Sequence, residues 1–484
     1  MKPKYTKIIA TLGPATGDVE QLRALIRAGA DCFRLNFSHA GPEKMAPVVE
    51  LARKASILEN HPVALLADIQ GPKIRIGDLP KDGVILREGK PFTITRREVE
   101  GTDTLVYSPY QYLVDDLEPG ARILFADGTL ELKVERISGD DVHCSVVVGG
   151  RLGSRKGLNI PGRELSIETL TEKDEKDLAF CGQADIDIVA ISFVRSPDDL
   201  HRARELLNNR RTPVMAKLER PEALTRLDEI LDASDGVMVA RGDLGVELPF
   251  EQVPTMQKEI LRRARERGKW AVVATQMLSS MVSSRRPTRA EASDVVNAVL
   301  DGADAVMLSE ESAVGQYPVA AVSALAALTK EGEEYEKDHP QQPIGGHIIN
   351  FAAGAAGAAV AAADQMQAKA IVTLAGSGLS ALLVSKWRPR IPIIALSSWR
   401  PSLQRLNVLR GVVPVPIEDR TSFERQLLAA DRYLLENKFA EVGDTLVIVA
   451  AVPLGTGKET NTIRFHRVRA VHERTPLSTY PNLP

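Results

Sequence analysis

Two long parts of the chain alternate short apolar runs with amphipathic segments, and this alternation is the feature that most constrains the fold. The first part covers residues 8–69, and the second continues the series over residues 172–336. Together they predict eight strands and eight helices. Such alternation indicates parallel strands joined by right-handed helical crossovers, and eight units are the count of a (β/α)8 barrel, the TIM-barrel architecture.

Between these two parts the alternation stops. Residues 72–165 contain no convincing helix, only short β-rich runs broken by turns such as 126–128 and 138–140. The prediction is therefore a barrel domain formed by residues 1–71 and 166–338, with a separate β domain inserted at 72–165.

After a charged stretch at 330–339 the strand and helix patterns alternate again. An Ala-rich helix at 351–363 precedes strands at 370–374, 392–396, 412–417 and 445–451. This pattern predicts an open-sheet α/β domain. We interpret residues 339–484 as a C-terminal domain that is fully separate from the barrel.

The composition excludes several classes of function. The formal net charge is −3 with both signs interspersed, and aromatic residues make up 5% of the chain, so no nucleic-acid partner is expected. Cys32, Cys144 and Cys181 lie far apart, which argues against disulfides or a zinc site and for a reducing compartment. Residues 348–363 are the closest match to a membrane span but are too short. We expect a cytoplasmic protein without a membrane partner.

Charged and polar side chains gather where the predicted barrel strands end, and the carboxyl ends of barrel strands carry the active site. The stretch 214–247 contains two such ends. Lys217 and Glu219 follow one strand, Arg241 and Asp243 follow the next, and Gly242 allows a tight turn. The other strand ends contribute these side chains: Arg34, Asn36, Ser38, His39, Asp68, Thr275, Gln276, Ser309 and Glu311.

Each of these residues also has an ordinary structural explanation. The alternatives are ion pairs for Lys217–Glu219 and Arg241–Asp243, a solvated charge for Arg34 or Arg75, a cap or surface position for His39, and a helix cap for Ser309. Because all of these side chains are expected at the carboxyl end of the same barrel, a catalytic role is favoured instead. Two carboxylates without neighbouring Cys or His suit a hard cation such as Mg²⁺, arginines suit a phosphate, and a lysine suits phosphoryl transfer.

Nine segments spread over nearly the whole chain resemble pyruvate kinase. They are TKIIATLGPAT (6–16), FRLNFSH (33–39), GPKIR (71–75), GSRKGLNIPG (153–162), AKLERPE (216–222), DGVMVARGDLGVE (235–247), ATQMLSSM (274–281), RPTRAEASDVVNAVLDGADAVMLS (286–309) and TNTIRF (460–465). The resemblance implies the same three-domain layout, in which residues 72–165 are a small β-barrel lid domain and residues 339–484 a regulatory domain. It also implies an allosteric homotetramer and the final step of glycolysis. That step transfers the phosphoryl group of phosphoenolpyruvate to ADP and gives pyruvate and ATP.

The resemblance also implies residue roles. Glu219 and Asp243 would hold Mg²⁺ or Mn²⁺, and Lys217 would stabilise the phosphoryl group in flight and the enolate left behind. The residues implied in binding phosphoenolpyruvate are Arg34, Arg75, Lys217, Gly242, Asp243 and Thr275. Those implied in binding the nucleotide are Asn36, His39, Arg75, Asp127 and Lys156. Thr275 and Ser309 would belong to the route that delivers a proton to enolpyruvate.

The chain departs from the family pattern beside the expected site of a monovalent cation. Potassium-dependent relatives build that pocket from positions equivalent to Asn36, Ser38, Asp68 and the backbone oxygen of Ile69, all present here. Those relatives tend to carry Glu where this chain has Lys73. The Lys73 ammonium would supply the charge of the ion and repel K⁺, so we predict that K⁺ is not required. The alternative is that Lys73 points into solvent at the domain hinge.

Two further expectations concern loops. Residues 308–313 read LSEESA where most relatives read LSGETA, so Glu310 adds a carboxylate beside the site. Residues 375–380, AGSGLS, follow a strand and open a helix. There Ser377, Gly378 and Ser380 predict a loop that binds a phosphorylated effector, and the alternative is a simple tight turn. Because Leu379 stands where bisphosphate-binding relatives tend to place Arg, a monophosphate is favoured.

Two rival functions remain open from the residues. A barrel lyase or aldolase of the phosphoenolpyruvate/pyruvate group would also hold Mg²⁺ between a Glu and an Asp, but it would lack the inserted lid. A scaffold without catalytic activity is the second rival, and the intact set of Lys217, Glu219, Asp243 and Thr275 argues against it.

Overall fold

The computed structural model describes residues 4–38, 40–126, 128–163, 165–209, 211–339, 350–374, 376, 378–418, 422–453 and 459–471. The chain begins with two strand–helix units and a third strand. These elements are β1 (Lys7–Thr11), α1 (Val19–Ala28), β2 (Cys32–Asn36), α2 (Pro42–Leu58) and β3 (Ala64–Ile69). All residues of β1 and β3 are buried, because helices cover the outside of a parallel barrel and side chains fill its inside.

The inserted segment that follows is made of strands, as predicted. They are β4 (Val84–Leu86), β5 (Pro91–Thr95), β6 (Leu105–Tyr107), β7 (Arg122–Phe125), β8 (Leu130–Ser138), β9 (Asp141–Val148), β10 (Gly150–Leu152) and β11 (Leu158–Asn159). Six form a sheet in the order β11-β7-β8-β9-β5-β6, and β4 pairs with β10. Alternate residues of β8 and β9 enter one apolar core, which gives this lid its own hydrophobic centre.

The barrel series then resumes and closes. Its elements are α3 (Glu172–Gln183), β12 (Ile188–Ile191), α4 (Pro197–Leu207), β13 (Val214–Leu218), α5 (Pro221–Thr225), α6 (Leu227–Ala233), β14 (Gly236–Ala240), α7 (Arg241–Glu247), α8 (Val253–Glu266), β15 (Trp270–Ala274), α9 (Arg289–Asp301), β16 (Ala305–Leu308), α10 (Glu310–Ala313) and α11 (Pro318–Asp338). The strand order is β1-β16-β15-β14-β13-β12-β3-β2, a closed parallel barrel. Short helices α7 and α10 start directly at the ends of β14 and β16.

The last part of the chain forms a five-stranded sheet with helices. Its elements are α12 (Phe351–Gln365), β17 (Ala370–Leu374), α13 (Leu379–Lys386), β18 (Ile393–Ser397), α14 (Arg400–Leu406), β19 (Val412–Pro416), α15 (Phe423–Glu436), β20 (Thr445–Ala450) and β21 (Thr462–Arg467). The order is β19-β18-β17-β20-β21, with only β21 antiparallel to its neighbour. This confirms the predicted α/β sheet and adds an edge strand.

The expectation that this last domain is fully separate from the barrel is wrong. Apolar residues inside the barrel, such as Met238 and Trp270, form one continuous core with Ala359 and Leu406 of the C-terminal domain. The amino-terminal mouth of the barrel exposes apolar side chains, and the C-terminal helices cover them. Among the described residues no helix combines the length and the apolar character needed to cross a membrane.

Candidate active site

A buried charge cluster lies at the carboxyl ends of β3 and β13. The Nζ atom of Lys217 is 3.1 Å from Oδ1 of Asp68 and 2.9 Å from Oε1 of Glu219. It also donates a hydrogen bond of 2.6 Å to Oγ of Ser192, which follows β12. Both carboxylate side chains are at most 2% exposed, so the lysine bridges three strands in a nearly dry environment.

Electrostatics keep this lysine protonated. Burial alone would lower the pKa of Lys217, but the carboxylates of Asp68 and Glu219 outweigh burial and hold it above the ordinary value. Burial likewise opposes ionisation of Asp68, yet Lys217 and Arg34 lower its pKa. For Glu219, burial raises the pKa, Lys217 opposes this effect and Asp243 reinforces it.

Asp243 differs from Asp68 and Glu219 because it has no partner among the residues that the structure describes. It lies in the first turn of α7, half-buried, and its carboxylate has no hydrogen bond or ion pair with any residue that the structure describes. Its charge nevertheless acts on both Lys217 and Glu219. The site therefore contains one carboxylate whose negative charge is free to meet a ligand.

The end of β15 is backbone-strained beside this carboxylate. Thr275 has a φ of 67° and Gln276 a φ of 55°, a left-handed conformation that is an outlier for a β-branched residue. The Thr275 hydroxyl accepts a 2.7 Å hydrogen bond from the N–H of Gly242 and donates to the carbonyl of Ala274. The Gly242 N–H therefore points toward Thr275, and a ligand anion would compete with this hydroxyl.

Ser309 and its neighbours form the end of β16. Oγ of Ser309 is buried and has no hydrogen-bond partner among the described residues. Glu311 is a structural anchor, because its carboxylate accepts the N–H groups of Ser309 at 2.7 Å and Leu278 at 3.0 Å. Glu310, in contrast, is exposed to solvent.

The residues of the expected monovalent-cation pocket are engaged by other groups. Arg34 donates to Oδ2 of Asp68 at 2.7 Å, which completes the neutralisation of that carboxylate. The Ile69 carbonyl accepts the hydroxyl of Ser192 at 2.7 Å. The side-chain oxygen of Asn36 accepts the N–H of Ser38 at 3.1 Å.

The basic residues expected from the lid lie near the hinge and not in the charge cluster. Arg75 and Gly157 form a β-bridge, and the guanidinium of Arg75 donates to the carbonyl of Arg155. Lys156 is exposed, and its carbonyl accepts the N–H of Ile76. Lys73 is half-buried, with its Cε 3.0 Å from the position that a Cβ on Gly157 would occupy.

Three predicted residues, His39, Asp127 and Ser377, lie outside the described residues. Of the other effector-loop residues, Gly378 has a φ of 89° at the start of α13. Ser380 shares a 2.5 Å hydrogen bond with the Thr460 hydroxyl.

Ser192 and Phe193 also belong to the site, although neither was predicted from the sequence. Ser192 contacts Asp68 at 3.4 Å in addition to Lys217, and the N–H of Phe193 donates to Oε2 of Glu219 at 2.8 Å. The available signal was their position, because they lie at the carboxyl end of a predicted barrel strand, as the other site residues do.

The chemistry of this mouth follows from its charges. A protonated lysine at a buried position stabilises negative charge that moves between oxygens, and an unpaired carboxylate beside a second one attracts a hard cation. Both features suit transfer of a phosphoryl group. The fold and the site therefore define a barrel enzyme of phosphoryl transfer with an inserted lid.

Comparison with known proteins identifies the family. The family model described as pyruvate kinase, barrel domain, matches residues 3–322, and the one described as pyruvate kinase, alpha/beta domain, matches residues 354–466. Pyruvate kinase 2 of Synechocystis is 43% identical over 97% of this chain and 80% of its own length. The pyruvate kinase of Methylorubrum extorquens is 40% identical over 97% of this chain and 99% of its own length.

A solved structure agrees with these matches. The crystal structure of a pyruvate kinase from Cryptosporidium parvum superimposes with a TM-score of 0.89 at 32% identity and covers 96% of both chains. The chain belongs to the pyruvate kinase family. It is a glycolytic phosphotransferase that forms pyruvate and ATP from phosphoenolpyruvate and ADP, and family membership implies dependence on a divalent metal.

Proposed function

We propose that Lys217, Glu219 and Asp243 form the centre at which this chain transfers the phosphoryl group. The observation that carries the proposal is the ammonium of Lys217, fixed 2.9 Å from Glu219 at the carboxyl mouth of the barrel and kept protonated. Phosphoryl transfer requires positioning and charge stabilisation more than covalent chemistry, and a preorganised ammonium supplies both.

The residues present fit a divalent cation. Asp243 has a carboxylate without a partner in the described chain, and its charge raises the pKa of Glu219, so the two groups repel each other. No group of three or more His, Cys, Asp and Glu side chains suited to a metal occurs in the described part of the chain. Glu219 and Asp243 would supply two side-chain ligands, which leaves positions for substrate oxygens and water. Bound Mg²⁺ or Mn²⁺ would supply a charge that polarises the phosphoryl oxygens.

Substrate binding and proton delivery are assigned to the groups around this centre. The carboxylate of phosphoenolpyruvate would accept from the backbone N–H groups of Gly242 and Asp243 at the start of α7, displacing the hydroxyl of Thr275. That hydroxyl and the unpartnered Oγ of Ser309 are then available to bring a proton to the enolate.

The remaining assignments concern the nucleotide, and they involve Arg34, Asn36, His39, Arg75, Asp127 and Lys156. Arg75 forms an isolated β-bridge with Gly157, and the carbonyl of Lys156 accepts the N–H of Ile76, so both residues would move with the lid when it closes. Closure excludes water and protects the phosphoryl group from hydrolysis.

A coupled assay of pyruvate formation tests the activity against its rivals. We expect pyruvate only when phosphoenolpyruvate, ADP and Mg²⁺ are all present, with one ATP formed for each pyruvate. Pyruvate released at a similar rate without ADP would instead indicate a lyase or phosphatase. If no pyruvate forms under any of these conditions, the result would favour the alternative of a scaffold without catalytic activity.

We further propose that the enzyme works without K⁺. Support comes from the pocket residues: Asp68 is already neutralised by Arg34 and Lys217, and the Ile69 carbonyl is already bonded. Lys73 adds a positive charge at the hinge, where its side chain lies against Gly157. A second cation would therefore meet little unpaired negative charge at Asp68, together with the like charges of Arg34 and Lys217.

The effector loop remains a proposal of the same kind. Gly378 adopts the left-handed conformation that opens α13, and Ser380 adjoins Thr460 from the start of β21. A phosphorylated effector bound there should change the saturation curve for phosphoenolpyruvate. No change with sugar phosphates or AMP would leave the tight-turn alternative. The homotetrameric state stays a prediction from the resemblance, and the cytoplasmic location stays a prediction from the cysteine pattern and the lack of a membrane span in the sequence.

A further inference from the structure

The lid is joined to the barrel by two chain segments, residues 70–74 leaving the barrel and residues 165–170 returning to it. The outgoing segment packs on the β12–α4 loop, residues 192–196. A Cβ built on Gly71 would lie 3.0 Å from Cδ2 of Phe193 and 3.1 Å from Cβ of Ser192. The backbone of Gly71 is left-handed, with a φ of 68°, and its N–H donates to the buried carboxylate of Asp174 at 3.1 Å. The outgoing segment is therefore fixed on the loop, with little room for a side chain.

The returning segment is bound by the other part of the same loop. The guanidinium of Arg195 donates to the carbonyls of Leu165 at 2.7 Å and Ile167 at 2.9 Å. It also donates to the hydroxyl of Thr169 at 3.3 Å. The backbone N–H of Arg195 donates to Oδ2 of Asp199 at 2.8 Å, which anchors the loop to the first turn of α4. Both segments of the hinge thus contact the β12–α4 loop.

This loop also holds two side chains of the charge cluster. Oγ of Ser192 accepts a 2.6 Å hydrogen bond from Nζ of Lys217 and donates one of 2.7 Å to the carbonyl of Ile69. The N–H of Phe193 donates to Oε2 of Glu219 at 2.8 Å. A hydroxyl has a single hydrogen to donate, so accepting one bond and donating another fixes its direction. Ser192 therefore sets the position of the ammonium relative to the end of β3.

Phe193 is held by contacts with both the hinge and the barrel. Its ring lies against Gly71, and the guanidinium of Arg220 lies over the ring, 5.4 Å from its centroid. Arg220 is itself paired with Glu247 at 3.3 Å. The backbone of Phe193 has a φ of 55°, a left-handed conformation that costs free energy outside glycine and persists only where the surroundings enforce it. A shift of Gly71 would therefore redirect the N–H that Phe193 donates to Glu219.

We propose that the β12–α4 loop is a positioning element that couples the lid hinge to Lys217 and Glu219. This inference rests on the proposed function, in which these two residues belong to the centre of phosphoryl transfer. When the lid turns on its hinge, both segments move against the loop, and the Ser192 hydroxyl and the Phe193 N–H transmit the movement. Transfer requires the ammonium and the metal-binding carboxylate to be placed within about 0.5 Å, so the position of the lid controls the geometry of the centre.

Binding of Mn²⁺ to the full chain without nucleotide, followed by electron paramagnetic resonance, tests the coupling independently of turnover. Glu219→Gln is the reference variant and should lose the bound ion. Gly71→Ala should weaken Mn²⁺ binding about ten-fold, because the added methyl group presses on the loop that orients Glu219. Gly89→Ala is the matched control. Gly89 has a φ of 72°, and a Cβ on it meets nothing within 4 Å, so this variant adds similar backbone strain without a contact.

A variant of the returning segment's anchor tests the same coupling without adding backbone strain. Arg195→Gln removes the hydrogen bonds to residues 165–169 and should weaken Mn²⁺ binding roughly three-fold or more. Its matched control is Arg151→Gln, because Arg151 is an exposed arginine of the lid that also donates to a backbone carbonyl, that of Asp82. This control should bind Mn²⁺ like the parent.

Steady-state kinetics test the hydroxyl that accepts from Lys217. In Ser192→Ala we expect kcat to fall about ten-fold while KM for phosphoenolpyruvate changes less than about three-fold, because the ammonium is misplaced but still present. Ser385→Ala is the matched control, since Ser385 is fully buried in α13 and donates to the carbonyl of Arg410 at 2.7 Å. Both variants lose a buried hydrogen bond, but Ser385→Ala should keep the kcat of the parent.

The outcomes separate this inference from the proposed function. Unchanged Mn²⁺ affinity in Glu219→Gln would overturn both together. Loss of the ion in Glu219→Gln with parent-like affinity in Gly71→Ala and Arg195→Gln would overturn this inference alone. An equal loss of kcat in Ser192→Ala and Ser385→Ala would also overturn it, because Ser192 would then contribute only to stability.

Discussion

Both mouths of the barrel contain buried acidic and basic side chains, but the two mouths differ in how completely these side chains are paired. At the amino mouth Lys386 pairs with Asp304 at 2.6 Å, and Glu336 accepts from Arg388 and Arg410 at 2.7 and 2.6 Å. All of these side chains are less than 10% exposed. Each of these two buried acids has a basic partner, and the pairs join the barrel to the C-terminal domain.

At the carboxyl mouth the pairing is incomplete. Lys217 joins two carboxylates, as a structural lysine would, but Asp243 has no partner among the described residues and Ser309 Oγ has none either. Thr275 stands next to them in a left-handed conformation. The comparison teaches that burial and ion pairing do not by themselves mark an active site. What distinguishes it is a set of charges that only a ligand can complete.

The largest effect is expected when the unpartnered carboxylate is removed. Asp243→Asn keeps the shape of the side chain but loses the negative charge that would hold the metal. We expect kcat to fall roughly 10³-fold or more, with an unchanged melting temperature because no internal ion pair is broken. Steady-state kinetics over a wide range of Mg²⁺ measures it, and near-normal turnover at ordinary Mg²⁺ would refute the assignment.

Two buried lysines provide a matched pair, one at each mouth. Lys217→Met should lower kcat by about 10²–10³-fold with a much smaller change in KM for phosphoenolpyruvate, because its charge acts on the transition state. Lys386→Met leaves Asp304 buried without its cation and should cost about 3–5 kcal/mol of stability, yet the folded fraction should turn over normally.

Urea denaturation and kinetics on both variants complete this comparison. A Lys217→Met defect confined to KM would remove its catalytic role. Loss of turnover in folded Lys386→Met would show that the amino mouth also takes part in the reaction.

Most of the barrel and the main site residues were predictable because they depend on local pattern. β13 and β14 are apolar runs that end in charged residues, and closure of a parallel barrel brings such ends to one mouth. The positions of Lys217, Glu219 and Asp243 follow from that rule. The roles assigned to them came from the resemblance, because hydrophobic periodicity does not indicate what a residue does in a reaction.

What the sequence could not predict depends on contacts between distant segments. In the sequence, Ser192 looks like an ordinary residue at the end of a strand. Its contacts form only when folding brings β3 and β13 within reach of its hydroxyl. β21 was missed because it is an exposed edge strand, with Phe465 55% exposed, and lacks a buried apolar alternation. Docking of the C-terminal domain depends on Lys386 and Asp304, which are 82 residues apart and look like surface charges in the sequence.

A smaller effect is expected at the hinge, where Lys73 contributes charge without an ion pair in the described chain. Replacing K⁺ by tetramethylammonium at fixed ionic strength should leave kcat of the parent within about two-fold. In Lys73→Glu, K⁺ should raise kcat roughly ten-fold, which corresponds to about 1.4 kcal/mol in the barrier. Lys81→Glu, an exposed lysine of the lid, is the control. A strong dependence of the parent on K⁺ would contradict the proposal.

The smallest effect concerns a further incompletely paired group at the carboxyl mouth. Glu247, at the end of α7, is 8% exposed, and the nearest cation is Arg220 at 3.3 Å. Burial raises the pKa of Glu247 to about 7, with Arg220 opposing and Glu222 reinforcing the shift. The ordinary value is 4.5. Between these two values the folded state keeps a proton that the unfolded state releases, so stability falls as the pH rises through this window and is level above it.

Glu247→Gln removes the titrating group and should flatten that dependence. The free energy of unfolding of the parent, relative to the variant, should fall by roughly 1–3 kcal/mol between pH 4.5 and 7. Glu251→Gln, on the exposed turn that follows α7, should track the parent at every pH. Urea denaturation across this range measures it, and parallel curves for Glu247→Gln and the parent would mean that Arg220 holds the carboxylate ionised. In that case Glu247 would belong with the satisfied pairs of the amino mouth, and the contrast between the two mouths would narrow to Asp243 and its immediate neighbours.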